Sequence, residues 1–478
     1  MFEPLGITVE DVAGYDALTA EQKTAFAVTG KLPIGAMQAL LLEKQLGNVS
    51  KLECAGKMAI DQLPNAVPLF SAAMGLDVGA LYQEVDTVLR TKAPDAELTQ
   101  TKDCTTSAPS CGQAPVICSF FAGAGFLDLG FETAGFEIAY VNEFHSPFIA
   151  AYKYSRTKMG LPQPTHGYFE GDIELCANGE QADRLSKIVN AANAENRLIG
   201  FIGGPPCPDF SVGGKNKGQH GSNGRLSMTY IKLITTQKPD FFVFENVKGL
   251  YRTAKHREFF DGLKKELAAA GYVCTERLVN ALDYGVPQDR ERIILFGIRN
   301  ADLKKRIGKF DWLKHQTHVE PKRSDWPQTR DQDGSNADST SGLRELTVQH
   351  WFDKNDVDAH PNAPHQFKPR AGLAKFQTLA EGDDSKKSYK RLHRSRYSPT
   401  AAYGNNEVHI HPWLPRRISV AEALAVQSMP KNFALPPDMT LTNMFKTIGN
   451  GVPYLAAQGI ALTIQDFLRS SNNEANGQ

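Results

Sequence analysis

One segment, Gly203-Gly204-Pro205-Pro206-Cys207-Pro208-Asp209-Phe210-Ser211, sets a cysteine between prolines directly after an apolar run. A lone cysteine is more often a small core hydrophobe than a reagent. Here the prolines fix φ and the paired glycines allow a sharp turn, so Cys207 is presented on a shaped loop and cannot pack as a strand or helix residue does. The chemistry open to such a residue is nucleophilic. The thiolate attacks and the thiol does not, so local dipoles or a base must loosen its proton. A second candidate is Glu245, which follows Phe241-Phe242-Val243-Phe244. A carboxyl placed after a wholly apolar strand is expected to hold its proton more tightly than a solvated one. Further on, Gln288, Arg290 and Arg292 alternate with Asp289 and Glu291. On an extended chain that spacing puts the first three on one face. The same alternation also suits a salt-bridged strand edge.

A ligand loop precedes these residues. The run Val116–Phe121 ends in Phe121-Ala122-Gly123-Ala124-Gly125, where glycines let the backbone turn sharply and approach a ligand. Glu143 follows Gly123 by twenty residues at the end of the next apolar run, the place where an acid meets a ribose in dinucleotide-type folds. Asp172 in Gly171-Asp172-Ile173 is placed to meet an adenine amino group, and Phe121 and Phe144 offer apolar faces to the ring. Either a nicotinamide cofactor or S-adenosylmethionine fits this pattern. The missing third glycine, with Leu127-Asp128 after Phe126, favours the methyl donor, which has no pyrophosphate to cradle.

Strands alternating with helices must carry these groups. Val116–Phe121, Glu137–Asn142, Leu198–Gly203, Asp240–Glu245, Val273–Asn280 and Arg292–Ile298 read as strands. Phe144–Tyr154, Arg225–Thr236 and His256–Ala270 read as helices between them. That alternation predicts a parallel sheet covered on both faces. Residues 320 to about 365 are rich in Asp, Asn, Ser, Gln, Pro and His and predict an irregular, partly mobile insert. Regular structure resumes with a helix over Ile418–Gln427, the Gly449–Pro453 loop and an apolar helix to about Leu468. The first 95 residues predict helices, including Ala36–Leu46 and a second pattern over 68–90, and Leu76-Asp77-Val78-Gly79, between two helical stretches, suits the turn of a helix-turn-helix or a packing domain.

Composition bounds the rest. The chain has 478 residues, 41% hydrophobic and 22% charged. It lacks an apolar run long enough to span a membrane, and Met1-Phe2-Glu3-Pro4, without a basic start or an apolar core, is not expected to open a signal peptide. Seven cysteines with no C-x-x-C pair argue against structural zinc and for a reduced, cytoplasmic protein without metal. Net charge is zero, yet Lys386, Lys387, Lys390, Arg391, Arg394 and Arg396 form a run free of acids. Such a run suits a solvated surface or a strip that contacts nucleic-acid phosphates.

Taken together, the segments resemble the DNA (cytosine-5) methyltransferase family, in its bacterial or phage modification type. The Gly203–Ser211 loop resembles its Pro-Cys catalytic loop, and Phe121–Gly125 its first cofactor motif. Phe244-Glu245-Asn246-Val247, Gln288-Asp289-Arg290-Glu291-Arg292, the stretch from Arg417 to Pro430 and Gly449-Asn450-Gly451-Val452-Pro453 follow in the family's order. The likeness runs from about residue 115 to 468. Pro208-Asp209, Asp289 and Phe126 depart from the usual residues.

The resemblance implies a class I S-adenosylmethionine-dependent methyltransferase, a Rossmann-like α/β sheet with an inserted irregular target-recognition domain, to which the residues add a helical N-terminal extension that has no counterpart in the family. The expected domains are the extension at 1–95, a linker at 96–114, and a catalytic and cofactor-binding domain at 115–300. The target-recognition domain at 301–415, the final catalytic part at 416–468 and a flexible tail at 469–478 complete the chain. S-adenosylmethionine is expected against Phe121, Ala122, Gly123, Gly125, Glu143, Phe144, Asp172, Ile173, Pro205, Asn450 and Val452. Cys207 is expected to add to C6 of a cytosine flipped from duplex DNA, Glu245 to stabilise the ring, Arg292 to contact the base, and Arg290 to anchor the loop. The basic run, with Thr400 and His409-Ile410-His411-Pro412, is expected on the DNA side. The protein is expected to be a monomer sharing its site with a restriction endonuclease without forming a stable complex. The rival readings are an RNA cytosine methyltransferase, a catalytically silent DNA-binding protein and a nicotinamide-dependent oxidoreductase.

Overall fold

The computed structural model describes residues 113–206, 222–252, 254–327, 343–368, 373–386, 388–401, 403 and 409–469. The helical readings for residues 1–95, most of the linker, Cys207, Lys387 and the end of the chain lie outside the described residues.

The elements run β1 (Val116–Phe120), α1 (Phe126–Thr133), β2 (Glu137–Glu143), α2 (Ser146–Met159), β3 (Tyr168–Glu170), α3 (Glu174–Ala177), α4 (Glu180–Ala194) and β4 (Ile199–Gly203). They continue as α5 (Ser222–Gln237), β5 (Phe241–Val247), α6 (Gly249–Arg252), α7 (Ala254–Ala269), β6 (Val273–Asn280), β7 (Glu291–Ile298) and α8 (Ala301–Lys304). Beyond the sheet come α9 (Val348–Asn355), α10 (Leu373–Thr378), α11 (Val420–Val426), α12 (Leu441–Asn450) and α13 (Tyr454–Arg469).

The sheet order is β3-β2-β1-β4-β5-β7-β6. Period-two alternation divides its residues between two cores. Phe242 and Phe244 of β5 and Ile293 and Leu295 of β7 face α4, α5 and α7. Phe241, Val243, Ile294 and Phe296 face α1 and α13 on the other side. Each buried phenylalanine contributes about 1.5–3 kcal/mol, so a strand that is apolar on both faces must lie in the middle of the sheet. The order reverses between β1 and β4, which opens a crevice at their carboxyl ends.

Two expectations need correction. The sheet is not wholly parallel: β7 runs antiparallel to both β5 and β6. The β6–β7 connection holds only a 3-10 turn, Ala281–Tyr284, and a loop, whereas a parallel return needs a crossover of about a dozen residues or more. The described parts of the 320–365 stretch, 320–327 and 343–365, are also less irregular than its composition suggests. Within it α9 buries Trp351 and Phe352 against α11, α12 and Phe126 of α1. Three apolar side chains, Val348, Trp351 and Phe352, in a polar background are enough to fix a short helix onto an existing core.

The α1–α13 pair shows how closely the layers pack. A Cβ on Gly130 would lie 2.5 Å from Ala457 Cβ and 2.6 Å from the Gln458 backbone nitrogen. Alanine here gains about 1 kcal/mol of helix propensity and loses more, because backbone cannot move aside as a flexible side chain can. Gly130→Ala is expected to lower the free energy of unfolding by about 1–3 kcal/mol, read as a lower urea midpoint at unchanged slope.

Candidate active site

A cavity of 1210 Å³ follows the carboxyl ends of the central strands. One half is built by the turn after β1, the end of β2, the loop after β3 and the loop after α12. Phe121, Ala122, Gly123, Glu143, Phe144, Asp172, Ile173, Asn450 and Val452 line it. Gly123 and Phe121 both have positive φ, 59° and 55°, so the turn is tight. Both Glu143 oxygens are fixed, Oε2 by the Gly123 amide and Oε1 by the His145 amide, each at 2.8 Å. Asp172 Oδ1 accepts from the Glu174 amide at 3.0 Å. Phe144 stands 64% exposed at the mouth, free to cover a planar ligand.

Gly125 does not line the cavity. It opens α1 at φ 84°, and a Cβ there would come within 2.5 Å of the Tyr152 ring. Its part is to let the turn rest on α2. Phe126, the unusual residue of this loop, is buried with its ring edge-on to Phe433 at 5.1 Å. Gly451 supplies the space, since a Cβ there would collide with the Phe126 ring. The substitution thus ties the first ligand loop to the last.

Sequence reasoning passed over Asp128. Its carboxylate lies buried on the cavity floor and accepts from Ser119 Oγ at 2.7 Å and Tyr152 OH at 2.8 Å. Burial pushes it up to about 6 against the pull of these two donors. An acid in the first turn of α1 was the available signal, but such residues usually only complement the helix dipole.

The other half of the cavity is lined by Gly204, Pro205, Pro206, Glu245, Arg290, Arg292, Lys390, Thr400 and His409. β5 and β7 are paired so that Glu245 and Arg292 point into the same space, and Arg292 Nε lies 2.9 Å from Glu245 Oε1. Burial pushes the Glu245 carboxyl up, while Arg292 and Arg290 oppose it. Burial also disfavours the charge on Arg292, but a guanidinium keeps its proton in proteins. The two therefore need each other, and removing one partner of such a pair costs about 3–5 kcal/mol. Gly204 leaves β4 so close to them that a Cβ would lie 2.5 Å from Glu245 Oε2. The chain continues through Pro206, which lines the cavity, toward Cys207.

Arg290 is 1% exposed and donates to the carbonyls of Ala401 and Gly449, both at 2.8 Å. Gln288 accepts from the Ala401 amide at 3.1 Å and donates to the Val426 carbonyl at 3.3 Å. These two side chains join the approach to β7 to segments more than a hundred residues later. Asp289 turns the other way, to Asn280 and Lys322, each at 2.7 Å.

The basic run does not act as one strip. Arg391 is buried and donates to the carbonyls of Phe376, His411, Pro412 and Leu414. It is not available to phosphate, which corrects the expectation for that residue: its guanidinium replaces water for loop carbonyls that burial would otherwise strand. Arg394 pairs with Glu381 at 2.9 Å, and Arg396 with Asp384 at 3.5 Å. Lys386 is exposed, Lys390 faces the cavity, and Thr400 is exposed with its hydroxyl donating to the Asp289 carbonyl at 2.5 Å. Among the described residues no cluster could hold a metal ion, and no helix is long and apolar enough to cross a membrane.

Comparison with known proteins bears on this geometry. The C-5 cytosine-specific DNA methylase family matches residues 116–466. The chain is similar to Type II methyltransferase M.NmeDI of Neisseria meningitidis serogroup C, 61% identical over 355 residues, covering 74% of this chain and 84% of the relative. It is 29% identical to Type II methyltransferase M.XorII of Xanthomonas oryzae pv. oryzae over 386 residues, 74% of this chain and 85% of that one. Among solved structures, a prophage-encoded E. coli protein described as a candidate DNA modification methyltransferase shares the fold. Its TM-score is 0.52 at 22% identity, over 74% of this chain and 99% of the other. The oxidoreductase, RNA-modifying and silent readings give way to one: the chain belongs to the C-5 cytosine-specific DNA methylase family and is a DNA (cytosine-5) methyltransferase.

Proposed function

We propose that the protein methylates C5 of a cytosine flipped out of a specific duplex DNA site, with S-adenosylmethionine as donor and Cys207 as covalent nucleophile. As with its Type II relatives, the modification serves a restriction–modification system. The observation that carries the reading is the joint placement of Glu245, Arg292 and the Gly204–Pro206 segment around one end of a cavity whose other end is a nucleoside-sized cradle. The protein is proposed to work as a monomer, with residues 301–415 carrying target recognition.

The cradle suits the donor. Glu143 is fixed for a ribose, Asp172 and Ile173 flank the adenine position, and Phe144 can cover the ring. Thr447 Oγ1, buried and unpaired in the structure, lies 3.8 Å from the space a Cβ on Gly123 would take. When bound, S-adenosylmethionine supplies an electrophilic sulfonium methyl group for C5.

The chain's own groups do the rest. Cytosine C5 is a poor nucleophile inside an aromatic ring. Addition of the Cys207 thiolate forms a C6–S bond and moves the ring electrons onto C5. Glu245 hydrogen-bonds N3 and the amino group and offsets the charge that develops there. Arg292 holds the carboxyl in place and faces the base. Once C5 carries the methyl group, loss of its proton to a base restores C5=C6, and the C6–S electrons return to sulfur.

Three outcomes test this. A duplex with 5-fluorocytosine at the site found by bisulfite sequencing is expected to become covalently trapped on the wild-type chain in the presence of donor, because fluorine cannot leave as a proton. Cys207→Ser should abolish trapping and keep binding. A wild-type enzyme that binds but is never trapped defeats the covalent step.

The pH dependence follows from the raised Glu245 carboxyl. Its protonated form persists above the usual carboxylate range and declines as pH rises through the raised value. The rate that uses this proton should fall over the same interval in wild type and lose that limb in Glu245→Gln. Equal rates for the two enzymes at every pH would remove Glu245 from the chemistry.

Gly204→Ala is expected to push Glu245 off Arg292 and lower kcat by roughly 10²-fold, the scale of a misplacement near 1 Å. Donor binding by calorimetry should be unchanged.

A further inference from the structure

We infer that Lys390 seats the backbone phosphodiester next to the extruded cytosine. The inference rests on the proposed function and narrows its DNA contact to one residue. Six basic residues lie close together in the sequence, but their surroundings separate them. Arg391 points inward to four carbonyls, Arg394 and Arg396 are neutralised by Glu381 and Asp384, and Lys386 is out in solvent. Lys390 alone among the described members of the run lines the cavity.

The backbone there is fixed. The Ile410 amide donates to the Lys390 carbonyl at 2.8 Å, and the Arg391 amide donates to the Asp383 carbonyl at 2.9 Å. With Arg391 anchored on one side of the chain, its neighbour is turned to the other.

Other cations near the Glu245 end already have partners. Arg292 faces Glu245, Arg290 faces two carbonyls, and Lys248 pairs with Glu291. Among the described residues Lys390 makes no ion pair. His409 beside it adds no charge, since burial lowers it to about 3.

A base seated against the Glu245–Arg292 pair brings its flanking phosphates to the rim of the same cavity. A phosphate moved there from water needs a cation, and among the described residues at this end of the cavity Lys390 is placed to meet it. Phosphate contacts of this kind set position without reading sequence.

The test is binding of a short duplex carrying the methylated site, without donor, across a salt series. For Lys390→Gln, the slope of log Kd against log salt should fall by about 0.9, with binding roughly fivefold weaker at physiological salt. In wild type, one neutral methylphosphonate at a linkage flanking the target cytosine should give the same loss. In Lys390→Gln that linkage should cost nothing more, and Lys390→Arg should restore both effects. The unfolding midpoint of Lys390→Gln should match wild type. An unchanged salt slope, or a methylphosphonate penalty that persists in Lys390→Gln, would overturn the inference. A wild-type chain that binds no duplex would overturn the functional reading first, and this contact with it.

Discussion

A carboxylate at the end of a wholly apolar strand is stable only if something compensates its burial, and in this protein Arg292 does so. The pairing of β5 with β7 is what brings the two within 2.9 Å. Had β7 run parallel, Arg292 would emerge at the other end of the sheet and Glu245 would be left alone in a low-dielectric pocket. The antiparallel strand inserted between β5 and β6 is therefore a requirement of the site as well as a feature of topology. Gly204 belongs to the same constraint, because any side chain there would displace the carboxylate.

Around this pair, three distant stretches of chain are joined by buried polar side chains. Arg290 bonds the carbonyls of Ala401 and Gly449, and Gln288 joins Ala401 to the end of α11. Gln427 extends the link, donating to the Ile448 carbonyl at 2.6 Å. The connection from β7 to the last cavity loop thus runs through donors and acceptors that have no solvent to fall back on, where an unmade bond costs about 1–3 kcal/mol each. Such a network fixes the cavity walls relative to each other more sharply than apolar packing would.

Charge is handled with the same economy of exposure. The chain carries equal numbers of acidic and basic residues, and much of the basic run near residue 390 is neutralised by Glu381 and Asp384 or turned inward with Arg391. The α11 entrance follows the same pattern, with Ser419 and Glu422 forming a capping box and Arg416 paired with Glu422 at 2.6 Å. The described part of the run is then a set of individually placed side chains rather than a generally basic strip.

Local chemistry was legible in the sequence. The apolar runs marked six of the seven strands to within a residue or two, because buried strands need apolar side chains; β3, three residues with none fully buried, left no such run. The spacing of Gly123 and Glu143 put an acid at the second strand end, and the alternation from Gln288 to Arg292 put three polar groups on one face. These are consequences of backbone period and side-chain type, which a sequence states directly. The direction of β7, the helix in a polar insert and the fate of each basic residue were not legible. Each depends on which remote group occupies the neighbouring space: Arg391 and Lys390 are adjacent and alike in charge, and only the carbonyls of His411, Pro412 and Leu414 on one side and the cavity on the other make one a structural anchor and turn the other to the cavity.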